Sequence, residues 1–210
     1  MFSFSANEKQ ELIVATLLFV LVELSILILP LGVYSLLSLD FLNFDIYTYM
    51  ILIIMGIISI PLFLFHELAH KFVAQGNGLT SEFRFFPNMA ILSFFSIFMP
   101  IKIIAPGVVL TSGRYRPDTE ARIAMAGPLI NILLGGFFLF LSAFLSSNWI
   151  DIMLLVSKFS FDLALFNLLP LFVLDGAKIL KWHTGVYGVI FSLSIMLWLF
   201  HPLGIFGGFY

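Results

Sequence analysis

The chain has 210 residues, 61% of them hydrophobic and 10% charged, with a mean hydropathy of +1.10, whereas soluble domains are nearer half apolar and a quarter charged. That composition excludes a large soluble catalytic domain, and ten Lys+Arg with a net charge of −2 exclude the concentrated basic face that a nucleic-acid partner requires. Without cysteine there are no disulfides, thiolate metal sites or cysteine nucleophiles, so any metal must be held by His, Asp and Glu.

Several apolar runs reach the roughly 20 residues that cross a hydrocarbon core. They predict an α-helical multi-pass membrane protein with about five transmembrane helices, or six. After a short polar start at residues 5–11, residues 12–37 read as a retained first span, since Lys9 and its charged flank do not resemble a cleaved signal. Asp40 and Asp45 bracket a polar loop, and a second span from Tyr47 through Phe65 runs into the charged stretch from His66 to Lys71. Residues 79–116 change character, because Arg84, Pro87, Pro100, Lys102, Pro106 and Gly113 interrupt them. The β-branched residues Ile101, Ile103, Ile104, Val108 and Val109 predict a β-rich segment lying at the membrane face or dipping into it. Its rival is another transmembrane helix over residues 85–98.

Pro117, Asp118 and Glu120 suit a helix N-terminus, and residues 121–145 make a third span. Within it Gly127, Asn131 and Gly135 recur every four residues, a small-residue face on which another helix packs closely. A fourth apolar segment, 150–174, carries Lys158, Asp162, Asn167 and Pro170 and reads as broken before Asp175-Gly176. Lys178, Lys181 and His183 follow, then a last span over 186–200 and a Gly-rich tail. Lys9, Lys71, Arg84, Lys102, Arg114, Arg116, Arg122, Lys178 and Lys181 all fall on one side of this scheme, and only Lys158 lies elsewhere. Basic residues mark cytosolic loops, so the expectation is an integral protein of the cell membrane with its N-terminus, the 79–116 segment and the end of the fourth span in the cytosol.

His66-Glu67-Leu68-Ala69-His70 is the most informative pentapeptide, because it matches the H-E-x-x-H pattern of zinc peptidases. In a helix, residues i and i+4 share a face, so two imidazole nitrogens converge on one tetrahedral ion while residue i+1 projects beside the open position. Glu67 is then placed to take a proton from water there. His66 comes about 17 apolar residues into the second span, roughly 25 Å at 1.5 Å per residue, which puts the motif in the inner part of a bilayer.

A zinc hydrolase needs a third protein ligand. The candidates are Asp175, Asp162, His183, His201 and Glu23. Asp175 is favoured, because the fourth span breaks just before it and Gly176 lets the backbone turn its carboxylate towards a partner helix. Its plainer role is to cap the helix over 177–182. His183, beside Lys181 and Trp182, reads as an interfacial anchor. Glu23 is expected to pair within the bundle or to line a water path, and Lys158 and Asp162, four apart, to pair with each other. Asn131 is expected to tie the third span to its neighbours.

Three separated elements, His66-Glu67-Leu68-Ala69-His70, Ala126-Gly127-Pro128-Leu129-Ile130-Asn131, and Asn167-Leu168-Leu169-Pro170 with Leu174-Asp175-Gly176, give a chain that resembles the site-2 protease family of intramembrane zinc metalloproteases. The resemblance covers roughly residues 51–180 and implies one zinc per chain held by His66, His70 and Asp175. It also implies that Glu67 is the catalytic acid and base, that Asn167 helps hold the substrate or its tetrahedral intermediate, and that the segment between the second and third spans is β-structured. No PDZ or CBS domain is apparent, and flanking spans are fewer than in the fuller family pattern.

On this reading residues 1–46 are an N-terminal segment and first span, 47–183 the catalytic core with its β-rich insertion at 79–116, and 184–210 the last span and tail. The partners are a transmembrane protein substrate and the lipid bilayer. A buried helix must unwind before its carbonyls can be attacked, and a strand edge in the insertion suits capture of the extended segment. Two alternatives use the same residues: a divalent-cation transporter, against which the spans offer few acidic groups, and an inert helix-binding relative, against which Glu67 is retained.

Overall fold

The computed structural model of the chain describes residues 4–29, 33–99, 102–104, 106–114, 116–145, 147–171 and 174–203. These are mostly helical and divide into two compact units, Met1–Leu64 with Ser81–Thr111, and Phe65–Thr80 with Ser112–Tyr210.

The first unit starts with α1 (Ala6–Ile28), where extended Ser5 caps the helix by accepting the Glu8 N–H at 3.0 Å. A short helix α2 (Val33–Ser38), a 3-10 turn (Asp40–Asn43) and the first part of α3 (Ile46–Gly76) follow. The strands β1 (Thr80–Phe85) and β2 (Gly107–Ser112) flank α4 (Pro87–Ser96), which packs on α1 through Val22, Leu29 and Ile97. Lys102 ties this unit together by donating to the C=O groups of Leu29 (2.9 Å), Ile97 (2.7 Å) and Met99 (2.7 Å), which lie just past the ends of α1 and α4.

The strands pair antiparallel: Phe86 N–H donates to Pro106 C=O at one end and the Thr80 hydroxyl to Ser112 C=O at the other. Amides alternate sides along a strand, so those of Phe83 and Phe85 face away from β2. Glu8 accepts from Phe83 N–H at 2.9 Å and Glu11 from Phe85 N–H at 2.7 Å. Two carboxylates of α1 thus occupy the edge of β1 where a third strand would bond.

In the second unit α5 (Pro117–Ser142) packs on α6 (Ser147–Asn167) and α7 (Asp175–Trp182), and α8 (Thr184–Leu199) packs on α6 and α7. Its core is Ala124, Ile132, Ala164, Leu168, Ile179 and Tyr187. Gly135 allows α5 to approach α6, since a Cβ there would sit 2.5 Å from the Phe161 ring. On the opposite face of α5, Leu129, Leu133, Phe137 and Phe140 are exposed. The helix therefore buries its small and polar residues and presents its large apolar ones, the reverse of a helix in water.

Several expectations change. Residues 12–37 are not one helix: α1 ends at Ile28 and α2 is separate, because Leu29 precedes a proline and that position disfavours the α conformation. The 79–116 segment holds two six-residue strands and a ten-residue helix, so β structure makes up only part of it, and the helix is too short to be the transmembrane rival over 85–98. Val108 and Val109 lie in β2, Ile103 and Ile104 lie outside regular structure, and Pro100, Ile101 and the Gly-rich tail lie outside the described residues. Among the described residues two helices are long and apolar enough to cross a membrane, Thr48–Gly76 and Pro117–Ser142, and α8 is a shorter apolar helix of 16 residues.

Candidate metal centre

α3 places His66 and His70 one turn apart, with their rings edge to face at 4.8 Å and their Nε2 atoms 3.1 Å from each other. The third group comes from the break after α6. The chain leaves the helix at Asn167, Leu174 is extended, and Asp175 is the first residue of α7 rather than its cap. Gly176 makes this possible, because a Cβ at that position would overlap the Leu168 C=O. Asp175 Oδ2 then lies 3.4 Å from His66 Nε2 and 3.1 Å from His70 Nε2, and Lys178 Nζ stands 3.6 Å from Oδ1. His66, Glu67, His70 and Asp175 are all buried, with His66 only 2% exposed.

These atoms fit a metal ion. Ligands at 2.0–2.1 Å around a tetrahedral zinc stand about 3.3 Å apart, and the three separations are 3.1, 3.1 and 3.4 Å. His70 Nδ1 lies 2.7 Å from the Ile123 C=O, which can only accept, so Nδ1 carries a proton, and when the ring is neutral Nε2 presents a lone pair. Opposite the Nε2 atoms sits Gly127 of α5: a Cβ there would meet His66 Nε2 at 2.5 Å and His70 Nε2 closer still. The glycine keeps open the space on which the ligand atoms converge.

The structure brings together His66, His70 and Asp175, with Glu67 in the same turn of α3. The other third-ligand candidates are engaged elsewhere. Asp162 accepts from Lys158 and Trp198, His183 caps α8 by accepting from Val186 N–H, and His201 lies 3.2 Å from the Ser157 hydroxyl. Glu23 is buried in the first unit. The Asn167 amide donates to the Leu163 C=O of its own helix at 3.0 Å, the helix-stabilising bond that the break calls for. Two contributions were hidden in the sequence: the Ile123 carbonyl, which has no side-chain signature, and the contact of Asn131 with the ligand ring, Nδ2 to His66 Nδ1 at 2.9 Å. The four-residue rhythm of Gly127 and Asn131 was the available signal for the second.

A buried His-His-Asp donor set, with a glutamate directly after the first histidine on the same helix, could hold one metal ion and is the kind of group that zinc hydrolases use. Known sequences carry this further. A protein of Methanocaldococcus jannaschii named "Putative zinc metalloprotease MJ0611" is 33% identical over 148 residues, which is 65% of this chain and 76% of that protein. The chain belongs to the same zinc metalloprotease family as this relative. A second protein of that organism, "Zinc metalloprotease MJ0392", is 29% identical over 133 residues, 62% of this chain but only 33% of its own length. No family model matches the chain, and no solved structure matches it. The homologues and the buried donor set together fit one zinc ion.

Proposed function

We propose that this chain is an intramembrane zinc metalloendopeptidase of the site-2 protease type, which cuts a peptide bond within or beside a transmembrane segment of a membrane-protein substrate. The observation that carries the proposal is the buried triad of His66, His70 and Asp175, with both histidines on α3, whose exposed Ile53, Ile57, Ile60, Phe65 and Phe72 are apolar. His66 stands 18 residues after the start of the apolar stretch Thr48–Gly76, about 27 Å along the helix at 1.5 Å per residue. A site there works below the membrane surface, and the distribution of Lys and Arg supports an opening on the cytosolic side.

Zinc in this site would supply a Lewis acid that polarises the scissile carbonyl and lowers the pKa of water. His66 and His70 would hold it through their Nε2 atoms and Asp175 through one carboxylate oxygen, with Glu67 in the same turn of α3. Glu67 accepts a proton from the attacking water and returns it to the leaving nitrogen, so its carboxylate ends the cycle as it began. Asn167 exchanges its bond to the Leu163 C=O for one to the extended substrate backbone. The substrate segment must be unwound to be cut, and strand addition would hold it extended. Glu8 and Glu11 fill the outward edge of β1, so β2 is the strand left to accept it. Val109→Pro in β2 is therefore expected to weaken cleavage severalfold with zinc content unchanged.

Cleavage of a single-span substrate in lipid vesicles, by wild type and Glu67→Gln, tests the proposal. Cleavage by the wild type alone is expected. Zinc flux across the vesicle without cleavage would instead make the centre a transit site, and binding of the substrate without either would make the chain an inert relative.

A further inference from the structure

Resting on the zinc-centre reading above, we propose that Asn131 is a positioning residue for zinc. Its side-chain oxygen accepts a hydrogen bond from Nδ1–H of His66, which leaves His66 Nε2 without a proton and aimed at the point where His70 and Asp175 converge.

His66 and His70 are arranged alike. Each has one nitrogen in the cluster, the Nε2 atoms lying 3.1 Å apart, and one outside it. For His70 the outside nitrogen faces the Ile123 carbonyl, and that acceptor fixes the tautomer that can bind metal. For His66 the outside nitrogen faces, among the described residues, the Asn131 amide at 2.9 Å, and Asn131 is fully buried. An amide is two-faced: its NH2 group at Nδ1 would put the ring proton on Nε2, inside the cluster, whereas its oxygen there puts the proton on Nδ1. Among the described residues, the side-chain oxygen of Asn131 has no hydrogen-bond partner where it points away from His66. Turning the amide by half a rotation keeps its shape and gives that oxygen a donor.

The helix geometry fits the same role. Ile123, Gly127 and Asn131 lie four apart on one face of α5, so successive turns hold the outer nitrogen of His70, leave room at both Nε2 atoms, and hold the outer nitrogen of His66. One helix face therefore sets both imidazole tautomers, although it contributes no ligand of its own.

The two amide orientations predict opposite results for Asn131→Asp. A carboxylate can only accept, so it preserves the bond if the oxygen faces His66 and destroys it if the NH2 group does. Zinc affinity of wild type, Asn131→Asp and Asn131→Leu is to be measured by competition with a chelator, in the same detergent and at the same pH. Loss of an outer-sphere partner of a zinc-bound histidine typically weakens the metal roughly 10- to 100-fold. We expect that loss for Asn131→Leu and wild-type or tighter binding for Asn131→Asp. Weakened binding by Asn131→Asp, or wild-type binding by a folded Asn131→Leu, overturns the proposal. If Asn131→Leu does not fold, the Asp variant alone still decides. If the wild type binds no zinc, the zinc-centre reading fails instead, so the two failures are told apart.

Discussion

Two ionisable clusters in the second unit, the one around Asp162 and the one around Asp175, follow opposite logic. At Asp162 donors meet an acceptor: Lys158 Nζ and Trp198 Nε1 both reach Oδ1 at 2.5 Å, and the ammonium lies 5.0 Å over the Trp198 ring. Such a cluster is complete in itself. At Asp175 two imidazole Nε2 atoms and a carboxylate oxygen converge within 3.1 to 3.4 Å of one another. With His70 Nδ1–H on the Ile123 carbonyl and Asn131 turned as we propose, both Nε2 atoms of the neutral rings are bare, and three lone pairs held this close and buried call for a cation between them. The pairs His66/His70 and Lys158/Asp162 are both four residues apart on a helix. Spacing alone therefore does not separate a metal site from a salt bridge; the direction of the donors does.

The sharpest way to break this comparison is to remove one member from each cluster. His70→Ala is expected to abolish zinc binding and cleavage together, whereas Asp162→Asn keeps its full zinc content, as measured by metal analysis of the purified proteins. Glu67→Gln comes next: it is expected to keep zinc and lose about 10²- to 10⁴-fold in cleavage rate, the usual contribution of a general base. A smaller effect separates neighbouring glycines of α5. Gly127→Ala pushes a methyl group onto both Nε2 atoms and is expected to weaken zinc by roughly tenfold or more in chelator competition, since overpacking a filled site costs about 1–3 kcal/mol. Gly136→Ala meets nothing within 4 Å and should leave affinity unchanged. Lys102→Met, in the first unit, removes three bonds to carbonyls. A thermal melt should report a loss of about 1–2 kcal/mol, with no change in zinc.

Much of the centre was legible in the sequence because its parts are local. His66 and His70 are set by helix period, and Asp175-Gly176 stands after a stretch that cannot stay helical. The small-residue face of α5 was equally visible, although not that Gly127 faces the ligand nitrogens. What stayed hidden depends on backbone groups and on distant parts of the chain. The Ile123 carbonyl has no side-chain signal, and Glu8 and Glu11 bond to β1 amides 75 and 74 residues away. Helix ends were misread where a proline served two purposes. Pro87 reads against a helix but starts α4, where its missing amide costs nothing, and the end of α1 at Ile28 falls inside an apolar run long enough to look continuous.

On the proposed reading His66, His70 and Asp175 hold the metal and Glu67 is left free for chemistry. Zinc per chain after a mild chelator wash, measured on wild type, Glu67→Gln and His70→Ala in lipid, tests it most directly. The account predicts about one, about one and none. Zinc lost from Glu67→Gln, or retained by His70→Ala, would contradict it.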